Sequence, residues 1–142
     1  MLNQDYHQLL MKEAYNLWTA NAEWPYKKLL TRINYPHQVA VVVGNLNYQV
    51  ENGGFAQWYF NGYYHSASYL LTALEEINTN TSREVKQMVE NVLDLFNDDN
   101  HDHESARLLN NDLSTRYYEI NNQFMADTLT YLQTLKDNVT HV

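Results

Sequence analysis

The chain contains no cysteine, which excludes disulfides, thiolate metal ligands and cysteine nucleophiles together. Among its 142 residues are only four glycines and two prolines, so chain breaks are few and each is informative. No segment approaches the roughly 20 consecutive apolar residues that a membrane-spanning helix needs. The opening stretch, MLNQDYHQLLMKEAY, has early acids and no apolar run. It does not read as a secretory signal, and a cytoplasmic location is expected. Positive charge is also scarce: nine Lys and Arg stand against seventeen Asp and Glu, for a net charge of −8. Such a chain lacks the clustered cations that displace phosphate counterions, so neither direct nucleic-acid binding nor an anionic membrane is an expected partner. A basic protein remains a compatible one.

What is present points to one all-α domain. Apolar residues make up 44% of the chain and aromatic residues 13%, enough to build a core at this length. No repeat, low-complexity segment or long linker divides it. From about residue 4 to 20, Tyr6, Leu10, Ala14, Leu17 and Trp18 recur at helical spacing. Pro25 suits the first turn of a short helix through Leu29, Leu30 and Ile33. The run Val39 to Val43 is compatible with a buried strand. Yet Val39, Val42, Val43, Leu46 and Val50 share one helix face, and the segment ends in Asn-Gly-Gly, so helix is expected. Ala67, Leu70, Leu71, Leu74 and Ile77 form a further stripe. Thr81-Ser-Arg-Glu84 reads as a capping box ahead of Val85, Met88, Val89, Val92 and Phe96. After the polar run NDDNHDHE, the pattern predicts a short helix around Ala106 to Leu109 and a long one from about Ser114 to Asp137. The expectation is a single compact helical domain, residues 1–142, of six or seven helices.

The least ordinary stretch is VENGGFAQWYFNGYY, residues 50–64, which holds three of the four glycines and six of the nineteen aromatic residues. A helix ending at Asn52 needs a residue at positive φ to leave cleanly, which Gly53 supplies, and Gly54 permits close backbone approach. Phe55, Trp58 and Tyr59 then fall on one face of a short helical turn. The amides of Gln57 and Asn61 suit helix ends whose backbone groups lack partners. A buried turn plugged by rings is the expectation. The competing reading makes Trp58, Tyr63 and Tyr64 exposed contact residues.

This stretch is similar to the signature of the bacterial DNA-mimic-protein family, in which an apolar helix runs into N-G-G-F-x-Q-x-x-x-N. Asn52, Gly53, Gly54, Phe55, Gln57 and Asn61 match it position for position. The run LSTRYYEI, 113–120, resembles the family's second landmark, and the resemblance spans roughly residues 25–135. It implies an all-helical fold and an acidic surface that imitates the DNA backbone to occupy a DNA-binding protein. Ser114 and Thr115 depart from it by standing where acids are expected, and Lys27, Lys28 and Arg32 make a small basic cluster.

An acidic stripe bears on this independently of any family. Between Glu90 and Glu104 lie six acids, Glu90, Asp94, Asp98, Asp99, Asp102 and Glu104, with no Lys or Arg among them. On a helix, Glu90, Asp94 and Asp98 point away from the Val85–Phe96 face, about 6 Å apart along the axis. That spacing is comparable to successive phosphates on one strand and offers Arg and Lys a similar row of acceptors. A charged face is also what any surface helix presents. The single sign is less ordinary, because like charges four apart repel.

Chemistry-bearing motifs are otherwise missing. His101-Asp102-His103-Glu104 lacks the helical spacing of a zinc site, so no metal is expected. No nucleophile elbow, P-loop or dinucleotide fingerprint occurs, and neither an enzyme nor a cofactor is expected. The leading expectation is a non-enzymatic acidic domain that binds a basic, DNA-binding protein through the stripe. A second copy of the chain is a candidate partner too. Two alternatives stand beside this: a ligand-binding or enzymatic pocket behind the Gly-Gly turn, lined by Gln57, Trp58 and Tyr59, and an immunity- or antitoxin-type inhibitor.

Overall fold

A computed structural model describes residues 4–97 and 103–140. Among these residues are six α-helices, one 3-10 turn and no strand. The helices are α1 (Gln4–Ala20), α2 (Tyr26–Thr31), α3 (Tyr35–Phe60), α4 (Ala67–Ile77), α5 (Asn80–Asn97) and α6 (His103–Thr140), with the 3-10 turn at Tyr63–Ser66. The all-α expectation holds, and α1 follows the predicted span.

Helix α3 is the axis of the molecule, and α1, α4, α5 and α6 all pack against it. Val39, Ala40, Val41, Val42 and Val43 are all buried, so the valine run is helix but does not present a single face. A helix that is apolar all round is enclosed on every side, and here the surrounding helices supply the enclosure. The α4 and α5 stripes face inward as their periodicity predicts, although Leu71 and Phe96 stay half-buried. A ring contact ties α6 to α3, with Phe55 meeting Tyr117 edge to face at 5.7 Å, and within α6 Tyr117 meets Phe124 at 6.1 Å. Each such pair contributes about 0.5–1.5 kcal/mol beyond area burial.

Two local expectations are corrected. The capping box before α5 is formed by Thr79 and Ser82, not by Thr81 and Glu84. The Ser82 N–H donates to Thr79 Oγ1 at 3.1 Å, and the Thr79 N–H donates to Ser82 Oγ at 2.8 Å. Thr81 instead donates to Asp127 on α6 at 2.7 Å, and Glu84 pairs with Arg116. The predicted break between Leu109 and Ser114 is absent: α6 runs through it as one helix of 38 residues.

Candidate functional site

The Asn52-Gly53-Gly54 sequence interrupts α3 without ending it. Gly53 (φ −160, ψ 19) and Gly54 (φ 76, ψ 178) leave helical geometry, and the helix resumes at Phe55. The positive φ falls on Gly54 rather than on Gly53. Gly54 also makes the close approach, since a Cβ there would lie 3.0 Å from Ser114 Oγ.

A kink strips helical partners from the groups on either side of it, and α6 replaces them. The N–H groups of Phe55 and Ala56, first in the resumed helix, donate to Ser114 Oγ at 3.1 Å and Asn110 Oδ1 at 2.9 Å. Before the kink, the Val50 carbonyl accepts from the Tyr118 hydroxyl at 2.6 Å. Its ordinary helical donor would be Gly54, which has left the helix. Asn110, Ser114 and Tyr118 are spaced by four, one stripe of α6 laid along the kink. The two sequence landmarks are therefore the two halves of a single joint. Burial and the nearby Glu51 carboxylate raise the Tyr117 phenol, which stays protonated and donates to Asn47 Oδ1 at 2.6 Å.

Gln57 and Asn61 do not cap backbone groups, contrary to expectation. Both amides donate to Gln49 Oε1, each at 2.9 Å, so one buried acceptor from before the kink holds two donors from after it. Asn52 adds a longer bond to Gln57 Oε1 at 3.4 Å. Phe55, Trp58 and Tyr59 are buried, Trp58 at 2% exposure, which removes Trp58 as an exposed contact residue. Tyr63 and Tyr64 are half-buried, Tyr63 against Tyr26 and Tyr64 stacked on Tyr59. The polar groups a pocket behind the turn would use are thus already bonded to one another.

The acidic residues lie elsewhere. Glu90 and Asp94 are exposed one turn apart on α5, opposite its apolar face, and neither has an ion-pair or hydrogen-bond partner among the described residues. Asp98, Asp99 and Asp102 lie outside the described residues, as does His101. Glu104 is exposed on the first turn of α6 but is paired with Arg107 at 2.6 Å, which separates it from the unpaired carboxylates. Several other bases are engaged likewise: Arg116 with Glu84 and Glu119, and Lys86 loosely with Glu75 at 3.9 Å. Lys28 and Arg32 lie over the Trp24 ring at 5.6 and 5.7 Å. Sequence reasoning missed Gln49, Asn110 and Tyr118, because their partners are set by the packing of distant segments.

A family model described as DMP19-like protein matches residues 31–138, which include both halves of the joint and the α5 carboxylates. No curated protein and no solved structure matches the chain.

Proposed function

The chain belongs to the DMP19-like protein family, and on that premise we propose that it is a non-enzymatic acidic domain that occupies the DNA-binding surface of a basic protein. The observation that supports this most directly is the pair of exposed carboxylates on α5, Glu90 and Asp94, which have no partner among the described residues. An acid already bonded to an Arg of its own chain offers little to a partner's cation. A free one keeps its full acceptor capacity. Carboxylates one helical turn apart stand about 6 Å from each other along the axis, a spacing that Arg and Lys side chains meet along a phosphate row.

The supporting joint has a part in this reading. The α3 kink and the α6 stripe fix how α6 lies, and α5 packs on α6. A row of charges imitates a rigid backbone only when its scaffold is rigid, and recognition improves when little ordering remains to be done on binding. The kink motif is accordingly the scaffold, with α5 as the contact face.

The experiment is capture of partners from source lysate with and without competing duplex DNA, followed by affinity measurements against salt. DNA should displace the partner, because both ligands use the same Arg and Lys surface. Affinity should fall as salt rises from about 50 to 200 mM, and Glu90→Gln with Asp94→Asn should weaken it further. A partner held equally by both proteins, without salt dependence or DNA competition, overturns the reading. A salt-dependent partner that DNA does not displace directs attention to a toxin-type target.

A further inference from the structure

A groove of about 440 Å³ lies between α1, α3 and α6, and α5 contributes nothing to it. Its lining includes His7, Met11, Gly44, Met125, Ala126 and Leu129. The volume is within the range of small-molecule sites. This groove is separate from the α5 carboxylates and meets the joint only through Asn47, which lines it and accepts from Tyr117.

His7 gives it a defined polar character. The side chain is buried, with 5% of the residue exposed, and Nε2 lies 2.8 Å from the Ala40 carbonyl oxygen. A carbonyl only accepts, so Nε2 carries the hydrogen and the neutral ring keeps its lone pair on Nδ1. Burial pushes the His7 pKa below its ordinary value, which favours that neutral form. Nδ1 has no hydrogen-bond partner among the described residues, and the His7 side chain lines the groove.

The apolar part is equally specific. A Cβ at Gly44 would lie 2.4 Å from Met11 Sδ and 2.6 Å from its methyl carbon. Met11 therefore lies flat against the α3 backbone, and only glycine leaves room for it. Met125 lines the groove from α6. Thioethers are polarisable and make favourable contacts with aromatic rings. The Asn47 amide is already committed to Glu51 and Tyr117, so it does not compete for a ligand.

We infer that this groove binds a small planar aromatic molecule carrying one N–H or O–H donor, of the indole or phenol class. The ring would lie against the Met11 and Met125 thioethers, and its donor would bond to His7 Nδ1.

The test is an amide NMR titration of isotope-labelled protein with indole and, in parallel, with N-methylindole, which keeps the ring and lacks the donor. Indole should produce saturable shifts centred on His7, Gly44 and Met125, and N-methylindole should bind about tenfold more weakly. Ala126→Leu, a change at an exposed position on the groove wall, should abolish saturation and leave the melting temperature unchanged. The comparison of the two indoles needs no variant, so it stands even if Ala126→Leu disturbs the fold. Equal affinity for the two compounds, or no saturable shift with indole in the millimolar range, would overturn the inference.

Discussion

The hydroxyl of Ser114 accepts the backbone N–H of Phe55 at 3.1 Å, although 59 residues of sequence separate them. A helix start is ordinarily capped by the residue just before it. Here that residue is Gly54, which has no side chain to offer, and the cap comes from α6. The same serine bounds the space that keeps position 54 a glycine. Each residue thus accounts for the other.

Ser114→Ala should leave the Phe55 N–H buried without an acceptor and lower stability by about 1–3 kcal/mol. Asn110→Ala should have a smaller effect, about 0.5–1.5 kcal/mol, because water reaches the half-buried Ala56. Denaturant titration gives the two losses. Hydrogen exchange at the Phe55 and Ala56 amides should accelerate in the matching variant, and unchanged exchange at both would disprove the capping role.

The two glycines of the kink should respond unequally. Gly54→Ala combines a backbone region almost closed to other residues with a 3.0 Å approach to Ser114 Oγ, for an expected loss of about 1–3 kcal/mol. Gly53 has an extended φ that any residue adopts. A Cβ there meets the Gln57 side-chain amide, which can swing aside at the expense of its bond to Gln49. It also lies 3.0 Å from Gln57 Cβ, a contact that a shift of the backbone by a few tenths of an ångström relieves. Gly53→Ala should therefore cost about 1 kcal/mol or less. Equal melting temperatures for the two variants would contradict this division.

Local periodicity made most of the helices legible, because a buried stripe repeats every turn and needs no knowledge of the partner. The valine run was readable as helix on the same basis. That it is enclosed on all sides was not, since burial of the remaining faces depends on where α1, α4, α5 and α6 settle. Gly53 and Gly54 are indistinguishable in sequence, and only the geometry assigns the positive φ. The stretch Asn110-Asn111-Asp112 reads as a break, because Asn and Asp favour turns. It stays helical where the Asn110 side chain bonds the Ala56 N–H rather than its own backbone. In the string TNTSRE two hydroxyl residues compete for the cap of α5, and the structure selects Thr79. Of the acidic site, the exposure of Glu90 and Asp94 was legible from helical phase. The pairing of Glu104 with Arg107 was overlooked because Arg107 follows just after the acid-only window.

Stability should respond to pH through His7. Its folded pKa lies below the ordinary 6.5 because burial disfavours the charged ring. The unfolded chain therefore binds this proton more readily. The His7 contribution is complete above about pH 6.5 and is lost as pH falls from there toward the folded value. Unfolding free energies between about pH 7.5 and 5.5 should decline in the parent and decline less steeply in His7→Gln. Parallel slopes would show that another group governs this window.

Glu90→Gln and Asp94→Asn together should change stability by no more than about 0.5 kcal/mol, as neither side chain is buried or has a partner among the described residues. The expected sign is a small gain, because like charges four residues apart on a helix are removed. A melting temperature that falls by several degrees would show that the two carboxylates support the fold and are not free for a partner.

The division of the joint between α3 and α6 also sets an order on the birth of the molecule. A chain grows from its N-terminus at about 5–20 residues per second, so Asn110 and Ser114 are made several seconds after Phe55. During that interval the Gly-Gly kink has emerged with neither of its capping side chains, and its amides have only water to bond. The signature stretch, dense with rings, is thus among the last parts of the protein to acquire its final shape, although it is synthesised in the first half. Nascent chains halted before residue 110 should expose those rings to chaperones, and chains released with α6 complete should not.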